Sequence, residues 1–539
     1  MKKLFLAALF LFVVNAVLAQ IAPEKYWVQF ADKKDTPYSI YDPEPYLSQR
    51  ALQRRANQHI KIDEYDLPVT PDYLRKLSQT GAIILNVSKW LNGAVVAVDD
   101  GLVLQAIEEL PFVVSTRRCF GREVSRSVGD EMIDESVSEY IPSFYGEAFE
   151  HINTINGKPL HDAGFMGEGM VVAVMDGGFV GADTIAVFKA MRDEGRLLGT
   201  RNFVKSGETV FKGSQHGTAC LGLMAGYLPN EYIGTAPHAS YYLFLTEDVD
   251  SENLVEEYNW VSAAEFADSL GVDVCSTSLG YVDFDIVEQT HVYSDLDGAT
   301  TPISRGASIA CSRGMLCINS AGNSGQLPFP YISAPADVED VLTIGAVDNS
   351  GLIAPFSSVG PTFDQRVKPD IVAMGWGDKV VAYNGTYYNG SGTSFSCPIV
   401  AGMVTCLWQS RPYATPREIN DALRQTANRA LNPDFQYGYG LPDFAAAMSE
   451  LPEKKEVESD NLITICPNPS SGDIHIQLDE ALNVSIVVND VLGHRVLTYE
   501  FNGLNHASLE RMLNQLRAGV YVITAYAENH SQTIKFVVL

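Results

Sequence analysis

The rhythm of hydrophobic positions changes twice along the chain and divides it into three. Residues 144–450 alternate short, continuous apolar runs with longer helix-like runs. Val171–Met175, Tyr241–Leu245, Val272–Ser276 and Met315–Ser320 read as buried strands. His216–Gly226 and Glu252–Leu270 read as helices, and Ala307–Arg313 as the end of another. This alternation predicts an α/β domain, a parallel sheet with helices on both faces, with its active edge at the carboxyl ends of the strands. Residues 20–125 show a smaller α+β pattern, with strands at Tyr26–Phe30 and Ala94–Val98 and helices at Pro45–Asn57 and Asp72–Thr80. Thr116–Arg126 is basic and polar and reads as a stretch a protease can cut, and Gly129–Tyr140 is acidic and linker-like. After a charged, proline-containing linker at 451–460, residues 461–539 switch to period two. Ile474–Leu478, Val484–Val488, Val520–Thr524 and Thr533–Leu539 predict a separate all-β sandwich domain.

Composition narrows the partners. The 539 residues carry 38 Lys and Arg against 66 Asp and Glu, a net charge of −28, which argues against nucleic acid. The first 19 residues have a signal-peptide layout: Lys2 and Lys3, an apolar core from Leu4 to Val14, and a small-residue site at Val17-Leu18-Ala19. That core is short for a membrane span, so the mature protein is expected to be exported. The eight cysteines are too sparse for a disulfide framework and mostly sit in apolar runs, where free thiols are common. Cys311 and Cys317, flanking a short turn, are the best-placed local pair. No Cys/His spacing points to zinc.

Four short segments carry chemistry. In Gly390–Gly402 a small-residue loop runs into an apolar stretch, with Pro398 near its start, so Ser394 is expected at the N-terminus of a buried helix. A serine there can attack a carbonyl while its own N–H holds the oxyanion. Asp176 ends a strand before two glycines, His216 opens a helix, and Asn323 follows a strand in Ser-Ala-Gly-Asn-Ser-Gly. Taken singly, each has a plain structural reading: a capping serine, a turn aspartate, a helix-start histidine, an asparagine in a left-handed turn.

Together, Asp-Gly-Gly, His-Gly-Thr, Ala-Gly-Asn and Gly-Thr-Ser before proline, in that order, resemble the subtilisin-like serine proteases over nearly all of residues 144–450. The resemblance implies that Ser394 is the nucleophile, His216 the general base and acid, and Asp176 the residue that orients it. It also implies that Asn323 and the Ser394 N–H form the oxyanion hole. Ser278, Leu279 and Gly280 match the edge that pairs with the substrate backbone. Cys220 matches a buried thiol of the proteinase K-like branch. No cofactor is required for catalysis and no metal ligand set is complete. Structural calcium is common in the family, but Asp295-Leu-Asp-Gly298 offers only a weak candidate, with an acidic surface loop as the plainer reading. Departures from the usual motifs are Gly177 after the aspartate and Phe395-Ser-Cys-Pro after the serine.

By the same resemblance, residues 20–125 are a propeptide that assists folding and blocks the site. The last domain resembles type IX secretion sorting domains, through Pro467–Gly472, Asn489–Gly493, Leu516–Tyr521 and Ile534–Leu539. A carbohydrate-binding or adhesive sandwich is its alternative. The expected protein is a secreted or surface serine endopeptidase of a Gram-negative bacterium. It would act on proteins or peptides, with its propeptide and the secretion machinery as partners. The competing reading is an inactive binding protein on the same fold.

Overall fold

The computed structural model describes residues 24–121, 143–453, 463–466, 468–470, 475–478, 484–501, 513–527 and 530–539. The signal-peptide stretch, residues 122–142 and most of the 451–460 linker lie outside these.

In the first unit β1 (Glu24–Phe30), β2 (Ile83–Ser88), β3 (Gly93–Val98) and β4 (Val113–Phe120) form an antiparallel sheet in the order β2-β3-β1-β4. It is accompanied by α1 (Gln49–Asn57), α2 (Pro71–Gln79) and α3 (Gly101–Glu108). Helix α1 starts later than its sequence pattern predicts, because the Ser48 side chain caps it by accepting from the Ala51 N–H. The basic stretch expected as a cleavable segment is in part strand β4. Arg117 and Arg118 pair with Trp27 and Tyr26 at the sheet edge, where exposed charged side chains are well tolerated.

The central unit is built on seven parallel strands: β5 (Val171–Asp176), β6 (Leu197–Asn202), β9 (Ser240–Leu245), β10 (Val274–Thr277), β11 (Leu316–Ser320), β12 (Leu342–Val347) and β13 (Ile371–Met374). A small hairpin of β7 (Tyr227–Leu228) and β8 (Tyr232–Ile233) lies apart. The sheet order is β13-β12-β11-β10-β5-β9-β6. Strand β5 is buried throughout, which explains its unbroken apolar run. Alternate residues serve opposite faces. Val172 and Val174 enter a core shared with α4 (His216–Ala225) and α7 (Thr393–Ser410). Val171, Ala173 and Met175 enter one shared with α5 (Val255–Leu270) and α6 (Pro302–Ser312). A hairpin of β14 (Trp376–Val381) and β15 (Tyr387–Ser391) leads into α7.

In the last unit β16 (Ile463–Cys466) pairs with β17 (His475–Leu478). A second, antiparallel sheet runs β19 (Arg495–Phe501), β18 (Val484–Asp490), β20 (Gly519–Ala527), β21 (His530–Val538). Ile463 and Ile465 share one core with Ile486, Val488, Ile523 and Phe536, the two-sheet arrangement the period-two pattern predicts.

The first unit packs on α5. Trp27 stacks on Tyr258 with ring centroids 4.5 Å apart. Asp268, fully buried, takes Arg54, Arg55 and Lys89 from the first unit. The Glu265 carboxylate accepts from the N–H groups of Lys89 and Trp90 and from the Ser88 hydroxyl.

The Cys311–Cys317 pairing is not formed; both are free thiols. Cys317 lies in β11 directly opposite Cys275 of β10, so its position is set by parallel strand pairing and not by the short turn. Asp295 and Asp297 belong to turns. Asp295 Oδ2 accepts from the Val292 N–H, and Asp297 Oδ1 accepts from those of Ala299 and Thr300.

Candidate active site

Asp176 is the last residue of β5 and is almost wholly buried. Its Oδ1 accepts from the Gly177 N–H at 2.7 Å. His216 is the first residue of α4, and its backbone N–H is held by Ser214 Oγ at 3.0 Å. The next residue, Gly217, decides how closely the two elements approach. A Cβ there would lie 2.9 Å from Asp176 Cβ and 2.5 Å from the Gly178 carbonyl oxygen, so a larger residue would lift the helix off the strand end. Gly178, at φ +147°, lets the chain turn against Lys212 and Ser214. The result is that His216 Nδ1 sits 2.9 Å from both Asp176 oxygens. A carboxylate has no proton to give, so Nδ1–H is the donor and Nε2 is the ring's outward atom.

Burial alone would lower the His216 pKa. The Asp176 carboxylate more than reverses this and holds it well above its ordinary value. The Cys220 thiol, one helical turn on and 3.8 Å from His216 Nδ1, is pushed up by burial and stays neutral, so Asp176 is the anion responsible.

Ser394 is the second residue of α7. Pro398 lies one turn further in, not in the first turn as its place in the apolar run implies. There it removes the N–H that would have bonded the Ser394 carbonyl. That carbonyl instead accepts from Ser278 Oγ at 2.8 Å and from Cys220 Sγ at 3.3 Å, while the Ser394 hydroxyl donates to the Ser278 carbonyl oxygen at 3.3 Å. One missing backbone bond thus ties the serine to the histidine's helix and to the Ser278 edge. Leu279 and Gly280 follow outward from there, half-buried and exposed, with the Leu279 carbonyl held by Asn319. Phe395, where the motif departs from the usual sequence, is buried with its ring 6.0 Å from that of His216.

Asn323 lies in the loop after β11. Its Oδ1 accepts from both the N–H and the hydroxyl of Thr393, at 2.9 and 3.0 Å. This leaves its NH2 as the free end. Asn323 Nδ2 and the Ser394 backbone nitrogen lie 3.4 and 3.7 Å from the point where a Cβ on Gly392 would stand, so the two donors flank one space. Asp176 and His216 pair directly, Ser394 is tied to the His216 helix through Cys220 and to Ser278, and Asn323 is joined to the start of α7 through Thr393. The orienting role of Thr393 and the carbonyl released by Pro398 were not anticipated, although the four-residue spacing from Ser394 to Pro398 contains the second.

An Asp–His pair at the carboxyl edge of a parallel sheet and a serine at the start of a buried helix fit a serine hydrolase. The chain belongs to the subtilase family, which it matches over residues 167–440, and it is a subtilisin-like serine endopeptidase. Residues 25–132 match the peptidase S8 propeptide domain of Bacteroidota, and residues 464–539 match a secretion system C-terminal sorting domain. The chain is 28% identical over 379 residues to subtilisin NAT of Bacillus subtilis subsp. natto, covering 69% of this chain and 84% of that protein. It is 28% identical over 306 residues to serine protease AprX of Bacillus subtilis (strain 168), covering 51% and 65%. It is 30% identical over 313 residues to the membrane-bound transcription factor site-1 protease of Rattus norvegicus, covering 56% and 27%. Among solved structures, the prenylagaramide maturation protease PagA aligns with a TM-score of 0.44 at 22% identity, over 56% of this chain and 99% of that one. The sorting domain marks a secreted or outer-surface protein of the Bacteroidota. Among the described residues, no helix is long and apolar enough to cross a membrane.

Proposed function

We propose that the enzyme cleaves peptide bonds through an acyl-enzyme formed on Ser394. His216 Nε2 takes the Ser394 proton as the hydroxyl attacks the scissile carbonyl, then returns it to the leaving amine. Asp176 keeps Nδ1 protonated and stabilises the imidazolium. The Asn323 NH2 and the Ser394 N–H receive the carbonyl oxygen as it becomes an oxyanion. Ser278–Gly280 pairs with the substrate backbone as an added strand. These steps need no cofactor. The first unit acts as the inhibitor in cis, and the last as the address read by the type IX machinery.

The observation that carries the reading is the bond of His216 Nδ1 to both Asp176 oxygens at 2.9 Å, on a helix joined to Ser394 through Cys220. Labelling of the self-processed full chain with a fluorophosphonate tests it. The label is expected on Ser394 and absent in Ser394→Ala. An intact, processed protein that takes no label would mean an inactive member of the family.

A further inference from the structure

The hairpin that leads into α7 carries a buried acid that the catalytic steps do not use. Asp378, on β14, is fully buried, and among the described residues neither of its carboxyl oxygens has a hydrogen bond of proper geometry. It faces His151, on the short helix Phe149–Asn153 at the start of the central unit, which packs against α7 and β13. His151 is also buried. Its Nε2 lies 3.4 Å from Asp378 Oδ1, and its Nδ1 has no partner among the described residues.

An ion pair does not fit this setting. Two charges so deep need further hydrogen bonds around them, and the remaining polar atoms of both side chains lack these. Burial pushes the Asp378 carboxyl well above the ordinary aspartate value and His151 down to about 3. Both are therefore neutral at pH 7, so the carboxyl has one proton to give and Nε2 faces it as the acceptor. The surroundings are neutral too. Tyr232 of β8 has its ring 6.4 Å from that of His151 and gives its hydroxyl to the Lys379 carbonyl at 3.0 Å. Tyr387 and Tyr388 of β15 and Cys220 of α4 stand around Tyr232, and burial raises Tyr232, Tyr387 and Cys220. Glu231, which accepts from the Tyr387 hydroxyl, is exposed. Lys379, next along β14, points to the opposite face.

The hairpin gives this acid its leverage. Asp378 is paired with Gly390 of β15, and at the hairpin's base the Gly392 N–H donates to the Gly375 carbonyl at 2.8 Å. Thr393, which orients Asn323, and then Ser394 follow directly. A Cβ on Gly390 would stand 2.5 Å from the Phe395 ring, so the strand and the serine's helix move together. An ionised Asp378 would be a buried charge without a counter-charge, relieved only by parting the hairpin from the His151 helix.

We propose that Asp378 is a positioning residue: its carboxyl stays protonated, donates to His151 Nε2 and holds the hairpin that places Ser394, so that its ionisation sets an alkaline limit on turnover. The inference rests on the Ser394 reading, whose failure shows separately as no fluorophosphonate label at any pH.

The test uses the processed full chain at temperatures well below Tm. In wild type, kcat should rise with pH as His216 loses its proton, then fall on an alkaline limb. Asp378→Asn offers His151 an N–H that does not ionise; it should keep the acid limb and lose the alkaline one. At pH 7 the infrared difference spectrum, wild type minus Asp378→Asn, should show the C=O stretch of a protonated carboxyl. The folded Asp378 value lies above the unfolded one of about 3.9, so its share of stability is full below that and lost as pH rises through the folded value. The wild-type Tm should therefore fall relative to that of Asp378→Asn as pH rises. An active wild type with no alkaline limb overturns the proposal, whatever the variant does. So does an alkaline limb unchanged in Asp378→Asn, the result expected of a merely structural residue, or a difference spectrum showing an ionised carboxylate at pH 7.

Discussion

Asn323 offers the sharpest test of the active-site reading, because its two amide ends have separate duties. Oδ1 is held by the Thr393 N–H and hydroxyl, and the NH2 is left for the substrate. Asn323→Ala removes both ends. Losing one oxyanion donor costs roughly 100- to 1,000-fold in kcat, about 2.7–4 kcal/mol, a figure known from subtilisin itself. Losing Oδ1 also strands the N–H of Thr393, a buried residue, at about 1–3 kcal/mol of stability. Alanine should therefore lower both kcat and Tm. Asn323→Asp keeps the acceptor for Thr393 and replaces the donor with a negative oxygen. It should leave Tm near wild type at neutral pH while lowering kcat at least as far as alanine does. KM should change little in either variant, because the contact strengthens only in the transition state. Steady-state kinetics on one chromogenic peptide, with melting curves on the same samples, decides the matter. An aspartate variant with nearly wild-type kcat, or one whose loss lies mainly in KM, would refute the assignment.

Other consequences are as direct. Protonated His216 cannot accept the serine proton, so kcat/KM should rise with pH through a midpoint above the ordinary histidine value of 6.5. Asp176→Asn should move that midpoint down while costing roughly 10^4-fold in kcat; a pH profile with the same midpoint in both would contradict the pairing. The same pair stabilises the fold fully below the unfolded-state value and less as pH rises through the raised folded value. Asp268→Asn leaves Arg54 buried without its counter-charge, while Arg55 keeps Asp66, at about 3–5 kcal/mol. The first unit should then be released sooner, seen as a shorter lag before peptide hydrolysis, and an unchanged lag would count against an electrostatic latch. Deleting residues 461–539 should leave the processed enzyme active yet block its export from the native host; the reverse outcome would overturn the sorting role.

The elements legible in the sequence were those whose burial shows as a pattern. β5, β9 and β11 are continuous apolar runs because both faces are covered. β6, Leu-Leu-Gly-Thr-Arg-Asn at the sheet edge, carries no such run, and β4 looked like a polar cleavage segment because edge strands tolerate arginine. The four candidate segments stand out because each pairs a chemical residue with the glycine or proline its geometry needs. The face of α5 was not readable. Glu256, Glu257, Glu265 and Asp268 imply solvent by composition, yet all are buried. The partners of Glu265 and Asp268 lie in the first unit, far away in sequence, and helical periodicity carries no trace of them.

That grip on α5 also bears on how the enzyme comes to be folded. A seven-stranded parallel sheet closes only when segments distant in sequence meet, the slowest kind of contact to form. The first unit is a small antiparallel sheet with nearer neighbours and can assemble earlier. By seizing α5 through Trp27, Arg54, Arg55 and Lys89 it fixes the crossover between β9 and β10, two strands that flank β5 at the middle of the sheet. Strands β12 and β13 then add to a platform already in place. On the proposed reading the first unit is also the template for building the sheet, so its removal is expected to leave the working life of the mature enzyme set by its rate of unfolding.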